Sequence, residues 1–336
     1  MAKLATLLLS DGKPGHYHLA DGICAALSRR RELDITRIEV RRPRWLPARA
    51  LSMITNARKP AARALPWLLG YPQSPPACDL IVSAGGDTLA ANVALARSLG
   101  CPNIFYGSLR RYRPADFSLI LTSYSANAAL PNAAMVLKPS AFDPAGLPDP
   151  NVSLRAGPVI GLLIGGDSGT VRFDPADWDN LLRLVSAPIA EGPRWLVSNS
   201  RRTPGHVSDQ LSQLAAASDG AMTFIDVRAP GAGTLPSLFA KCNAVAVTVD
   251  SSSMISEAVW ARRPVVVLAP KRAQLPPLEQ TYRVHLATHG WLTHLDLALA
   301  TPQTLLERLS TVTPMTANPL DTLAGELLRR LPELFG

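Results

Sequence analysis

The sequence predicts an α/β protein of two Rossmann-like domains facing a cleft, and three observations predict it. Apolar runs of four to seven residues alternate with longer helical patterns, the signature of βαβ units and parallel sheets. The alternation breaks at a proline-crowded stretch (Pro139, Pro144, Pro148, Pro150, Pro158) and then restarts. A length of 336 residues accommodates two such halves. The expected organisation is an N-terminal domain over 1–140, a linker over 141–157 and a C-terminal domain over 158–336. The last helix is placed where it can return to the first domain.

In the first half the strands are expected at Leu4–Leu9, Ile35–Val40, Leu80–Ser83, Asn103–Tyr106, Phe117–Leu121 and Met135–Lys138. The clearest helices there are Leu19–Arg30 and Thr88–Leu99. In the second half strands are expected at Val159–Ile164, Arg194–Ser198, Met222–Ile225, Ala244–Val249 and Val265–Leu268. Helices are expected near Pro175–Val185, Pro204–Ala217, Leu235–Cys242 and Ser252–Arg262.

Composition narrows the function classes. A hydrophobic fraction of 47% supports a sizeable core and excludes wholesale disorder. No run approaches 18 apolar residues, so no membrane-spanning helix is expected. Met1–Ser10 is too short for a signal-peptide core. Cys24, Cys78, Cys101 and Cys242 are far apart and form no C-x-x-C pair, which speaks against a disulfide scaffold or thiolate zinc site and for a cytoplasmic protein. Arginine outnumbers lysine 28 to 6. Guanidinium groups suit phosphate recognition, and a GC-rich genome produces the same bias.

In open α/β sheets, ligands sit beyond the carboxyl ends of the strands, so the loops there carry the candidates. After the first strand, Gly12 and Gly15 flank Lys13, with Asp11 and His16 as an acid/base pair or, for Asp11, a helix cap. After the third, Gly85 and Gly86 permit close approach and Asp87 is placed to cap the next helix. Ile164–Thr170 opens the second half with Gly165, Gly166, Ser168 and Gly169, whose hydroxyl and bare amides could cradle a diphosphate. It has neither the G-x-G-x-x-G spacing nor a Walker lysine. Ser200, Arg201 and Arg202 leave the next strand at a helix entrance, suiting a doubly charged phosphate or making a solvated basic turn.

Asp250–Glu257 is the most informative loop. Met254, Ile255, Ala258 and Val259 form one apolar face, leaving Ser252, Ser253 and Glu257 toward the strand ends beside Ser251. A carboxylate one turn inside such a helix could accept both ribose hydroxyls while serines and amides hold phosphate. His285 and His289 at i and i+4, with His294 beyond, complete no H-E-x-x-H pattern, so no metal is expected.

The formal charge of +8 is local. Residues 40–78 contain Arg41, Arg42, Arg44, Arg49, Arg58, Lys59 and Arg63 and no acidic residue. Trp45, Trp67, Leu46, Leu51, Met53, Ile54 and Leu65 lie among them. Such a mixture suits an anionic membrane surface through residues 41–67, or a basic helix packed on the domain. Nucleic acid is not expected, because no strand interleaves aromatic and basic residues.

SDGKPGH at Ser10–His16, IGGDSGTVRF at Ile164–Phe173, SNSRRTP at Ser198–Pro204 and VTVDSSSMISEA at Val247–Ala258 resemble the bacterial branch of the mitochondrial-fission ELM (elongated mitochondria) family. Eukaryotic members resemble adaptors that bring a dynamin-type GTPase to the mitochondrial surface, a role that bacteria cannot use. The resemblance implies an architecture similar to GT-B glycosyltransferases, including the peripheral enzyme that makes lipid II. It further implies that Gly165, Gly166, Ser252, Ser253 and Glu257 meet the phosphate and ribose of a nucleotide sugar. The expected function is therefore a metal-independent transferase using a nucleotide diphosphate sugar, with His16 or Asp11 as base. It would need no cofactor and act in the cytoplasm or on the inner face of the plasma membrane. A non-catalytic nucleotide-sugar-binding or membrane-surface adaptor, and a sugar-nucleotide epimerase, are the alternatives.

Overall fold

The computed structural model describes residues 2–57, 64–148, 157–187, 193–231 and 233–336. Residues 149–156 of the expected linker, and Arg58, Lys59 and Arg63 of the basic segment, lie outside the described residues. The chain divides into one unit of Met1–Asp143 with Pro319–Gly336, and a second of Pro144–Asn318.

The first unit runs β1 (Leu4–Ser10), α1 (Pro14–Ser28), β2 (Leu33–Glu39), α2 (Ala48–Asn56), α3 (Leu65–Leu69), β3 (Leu80–Ala84), α4 (Leu89–Leu99), β4 (Asn103–Tyr106), β5 (Leu119–Thr122) and β6 (Ala133–Met135). Its strands pair in the order β2-β1-β3-β4-β5-β6, all parallel. Leu7, Leu8 and Leu9 are wholly buried. A parallel strand covered on both faces reads as such a continuous apolar run. Leu7 and Leu9 share a core with Leu51 of α2, Leu65 and Leu69 of α3, and Leu89 and Val93 of α4.

Four elements of the first unit differ from the bounds expected of them, and the first is β2, which spans Leu33–Glu39 rather than Ile35–Val40. α1 begins at Pro14 rather than Leu19, because proline fits the first helical turn and the polar Gly-His-Tyr-His turn hides the period. β5 starts at Leu119, since Pro114–Asp116 forms a 3-10 turn that closes on Phe117. β6 is Ala133–Met135 instead of Met135–Lys138, and its two alanines give little apolar signal.

The second unit runs β7 (Val159–Leu163), β8 (Val171–Arg172), α5 (Pro175–Ser186), β9 (Arg194–Ser198), α6 (Gly205–Ala217), β10 (Met222–Ile225), α7 (Leu235–Phe239), β11 (Ala244–Thr248), α8 (Ser252–Trp260), β12 (Val265–Ala269), β13 (Arg272–Ala273), α9 (Pro277–Thr288), β14 (Leu292–Asp296) and α10 (Pro302–Ser310). The main sheet is parallel in the order β10-β9-β7-β11-β12-β14, and β8 pairs with β13 antiparallel. The last helix, α11 (Pro319–Arg330), packs on α1 and belongs to the first unit. It buries Leu320, Leu323, Ala324 and Leu327, and Arg29 at the end of α1 pairs with Asp321 at 3.1 Å.

A buried polar knot ties α4 to the first sheet. Asn92 Nδ2 donates to Ser83 Oγ at 2.8 Å, and its Oδ1 accepts from Asn103 Nδ2 at 2.6 Å. Both asparagines are essentially inaccessible. Asn92→Ala strands the amide it served and is expected to cost about 1–3 kcal/mol. Urea denaturation of the two proteins checks this: the midpoint falls while the slope stays constant.

Candidate functional site

Strand order fixes where a ligand can enter each unit. β1 leads to β2 on one side, while β3 and its successors lie on the other, so the loops after β1 and β3 part at the strand ends. The same reversal occurs beside β7 and β11 in the second unit. Both glycine-rich pairs of loops read from the sequence stand at these switch points.

In the first unit the structure brings Asp11 and His16 together. Asp11 Oδ2 lies 2.7 Å from His16 Nδ1, and the Asp11 side chain is only 2% exposed. An imidazole held through Nδ1 by a carboxylate directs Nε2 outward, the geometry of an oriented general base. Gly85 carries a positive φ of 91°, and a Cβ there would collide with the His16 ring. Gly12 is left-handed at 73° in the turn entering α1, where a Cβ would be strained, while Gly15 is exposed on α1 with open space around it.

Asp87 does not cap α4. Thr88 stands at that position without a side-chain cap, and its hydroxyl donates back to Gly85 O at 2.9 Å. Asp87 instead accepts from Lys13 Nζ at 2.6 Å and Arg42 Nε at 2.7 Å. Burial pushes its carboxyl up, but the two cations outweigh that and hold it below the usual range. Lys13, placed between Asp87 and Asp11, ties the β1 loop to the β3 loop.

The second unit is built around Asp250, whose side chain is wholly inaccessible. Its Oδ2 accepts from the Gly166 amide at 3.1 Å and from Arg202 at 2.6 Å. A Cβ on Gly165 would overlap the Asp250 carboxylate, and one on Gly166 would strike the Arg202 carbonyl. These glycines make room for protein groups. Their amides are not bare: Gly165 N donates to Thr248 Oγ1 at 2.7 Å, Gly166 N to Asp250, and Ser168 N to Val171 O at 3.1 Å. Gly169, at φ +54°, is the tip of the turn between Ser168 and Val171.

The paired arginines are split. Arg202 is held by Asp250, whereas Arg201 is exposed and makes no hydrogen bond or ion pair with a described residue. Ser200 turns into its own loop, its amide donating to Thr203 Oγ1 at 2.9 Å and its hydroxyl accepting from Arg202 N at 3.2 Å. Asp250 and Thr248 did not stand out in the sequence. The available signal was a polar pair closing a wholly apolar strand opposite Gly-Gly.

α8 begins at Ser251, whose hydroxyl accepts from the Met254 amide at 3.4 Å. Its buried face is Ile255, Ser256, Ala258 and Val259; Met254 is only half-buried, because Ser256 takes the inward position through Tyr282 at 3.1 Å. Ser253 is exposed and Ser252 half-buried at the first turn, where helix amides and dipole favour an anion. One turn further, Glu257 is half-buried, and its carboxylate makes no hydrogen bond or ion pair with any described residue. Burial alone pushes its carboxyl up to about 7. Asp250 is also raised by burial, which its hydrogen bonds and Arg202 only partly offset.

Among the described residues no group of three or more His, Cys, Asp or Glu is arranged to hold a metal. His285 and His289 lie against each other with ring centroids 4.3 Å apart, and His289 packs on Trp291.

The family model for Mitochondrial fission ELM1 matches residues 14–331. No curated protein matches the chain in sequence. Among solved structures, Acinetobacter baumannii MurG is 13% identical with a TM-score of 0.50, over 99% of this chain and 95% of that one. Staphylococcus aureus MnaA, solved with UDP, is 13% identical with a TM-score of 0.54, over 99% and 98%. The UDP-GlcNAc 2-epimerase of Neisseria meningitidis, bound to UDP-GlcNAc, is 12% identical with a TM-score of 0.51, over 99% and 100%. At these identities the likeness establishes the fold.

The state of Glu257 has a measurable consequence. Its folded pKa lies above the unfolded value of 4.5, so the native state binds the extra proton between the two. Stability from this residue is complete below pH 4.5 and is lost as pH rises through about 7. Unfolding free energy is expected to drop by about 1–3 kcal/mol across that window, and Glu257→Gln to flatten that part of the profile. Chemical denaturation at a series of pH values measures it.

Proposed function

The chain belongs to the Mitochondrial fission ELM1 family and has the two-domain GT-B fold, and from that premise we propose that it is a glycosyltransferase using a nucleotide diphosphate sugar. The observation that carries this reading is Glu257: a half-buried carboxylate without a protein partner, one turn inside a helix that starts at a switch point. A ribose presents two adjacent hydroxyl donors, which is what such a carboxylate lacks. The first turn of α8 and the free guanidinium of Arg201 would meet the diphosphate. Arg202, Gly165 and Gly166 act behind them, holding the loop through Asp250.

Cleavage of the sugar–oxygen bond leaves one additional negative charge on the departing diphosphate, and fixed helix amides plus a guanidinium would stabilise it electrostatically. His16 would take the proton of the acceptor hydroxyl at Nε2, while Asp11 fixes the tautomer and stabilises the imidazolium. No residue in this scheme requires a cofactor. Structural relatives solved with UDP or UDP-GlcNAc support the choice of a uridine nucleotide for the first assay.

Uridine diphosphate is expected to raise the melting temperature of the protein. Glu257→Ala is expected to weaken its binding roughly 10- to 100-fold, the loss of hydrogen bonds to a charged acceptor. Unchanged affinity in that variant would show that the site is wrongly placed. Diphosphate release from a UDP-sugar on adding lipid or saccharide acceptors, abolished in His16→Ala, identifies a transferase. An isomerised sugar without diphosphate release identifies an epimerase, and binding without either reaction a sensor or adaptor.

We further propose a peripheral position on an anionic membrane, supported by the exposed apolar and basic residues of one segment of the first unit. Trp45, Met53 and Trp67 are 70%, 69% and 77% exposed, with Arg41, Arg44 and Arg49 exposed among them. Leu46, Leu51 and Leu65 instead belong to the core, so the apolar face of this segment is narrower than the sequence suggests. Sedimentation with phosphatidylglycerol-containing vesicles should exceed that with neutral ones, fall with added salt, and drop in Trp45→Ala/Trp67→Ala. Equal sedimentation with both vesicle types overturns the proposal.

A further inference from the structure

A cavity of about 260 Å³ opens in the first unit beside the Lys13–Asp87–Arg42 cluster. α2 supplies Arg49 and Ser52 to its wall, the loop after β3 supplies Gly86, and the loop after β4 supplies Arg110, Arg111 and Tyr112. Three arginines therefore line the cavity from two elements distant in sequence. None of the guanidinium groups of Arg49, Arg110 and Arg111 makes an ion pair or hydrogen bond with a described residue. Elsewhere in the unit, Arg29, Arg37, Arg42 and Arg97 are each paired with a carboxylate.

The backbone is also arranged for Arg110. It is one of three non-glycine residues among those described with a positive φ, at 55°. Such a conformation is costly for a side chain with a Cβ and points to a local demand other than stability. Gly86 meets the same demand from the opposite side, because a Cβ there would land on the Arg110 guanidinium. The chain thus gives up one side chain and strains another residue to hold an unpaired cation over the end of β3. No carboxylate is among the lining residues, and Asp87, next to Gly86 in the chain, is already occupied by Lys13 and Arg42. The cavity keeps a surplus of positive charge.

We propose that this cavity is a second anion site, distinct from the nucleotide loops of the other unit, which takes the phosphate monoester or diphosphate group of the acceptor. The term acceptor rests on the transferase reading above; the phosphate chemistry does not. Guanidinium groups fork onto phosphate oxygens, and three of them match a group carrying two or more charges better than a single-charge diester. The same helix that contributes Arg49 and Ser52 exposes Met53, so a phosphate borne on a lipid and a free sugar phosphate share this chemistry.

Isothermal titration with inorganic pyrophosphate, run on the full chain with and without saturating uridine diphosphate, tests the site. One binding event should persist when the nucleotide is saturating. Arg110→Ala/Arg111→Ala should weaken that event tenfold or more, and Gly86→Ala, which displaces Arg110 without removing charge, should weaken it as well. Arg30→Ala, exposed at the end of α1 and outside the cavity wall, should leave it unchanged and controls for net charge. Equal pyrophosphate affinity in the wild type and the double variant overturns the proposal, as does an equal loss in Arg30→Ala. If uridine diphosphate fails to bind but the arginine-dependent event remains, the donor reading falls and this site stands.

Vesicles then separate the two sources. A preference for phosphatidic acid over phosphatidylglycerol that the double variant loses assigns the phosphate to a lipid. Vesicle binding unchanged by the double variant, with pyrophosphate binding weakened, assigns it to a soluble ligand.

Discussion

The second unit depends on one buried carboxylate. Asp250 closes β11 at a point that water does not reach, where an ionised group without partners would be expensive. Its charge is met by the Gly166 amide and the Arg202 guanidinium. Because Arg202 belongs to the loop after β9 and Gly166 to the loop after β7, one carboxylate sets the mutual positions of three strand exits. The two glycines follow from this, since any side chain on Gly165 would occupy the space of the carboxylate. What remains available to a ligand is the outer layer: Arg201, the first turn of α8 and Glu257.

The first unit solves the same problem with the opposite balance. Asp11 and Asp87 stand at neighbouring strand exits, and Lys13 reaches both. Arg42 and His16 complete the coordination of each carboxylate. Here each carboxylate is shared between two partners, and Lys13 is common to both, whereas Asp250 has a single guanidinium beside it.

The sequence revealed the β1, β4, β7 and β11 strands because parallel strands covered on both faces are continuous apolar runs. It concealed β6, with its two alanines, and β14, whose Leu-Thr-His-Leu-Asp alternates at the edge of the sheet. The glycine, serine and glutamate positions were legible as loops at strand ends. Their roles were less so, since Gly-Gly reads alike whether it exposes amides to a ligand or yields space to a neighbouring carboxylate. Asp250, Arg110 and the placement of Arg202 could not be read, because each acts on a partner dozens of residues away. The proximity of Cys78 and Cys101, 3.6 Å between sulfurs, was hidden by the same separation.

Return of α11 to α1 bears on how the polypeptide assembles. All of Pro144–Asn318 is synthesised between β6 and the helix that completes the first unit. Until residues 319–330 leave the ribosome, the apolar face of α1 lacks the leucines that cover it. The second unit has every strand of its main sheet within one continuous stretch and can mature first. Vectorial synthesis thus favours an inverted order, in which the later-made domain closes before the earlier one.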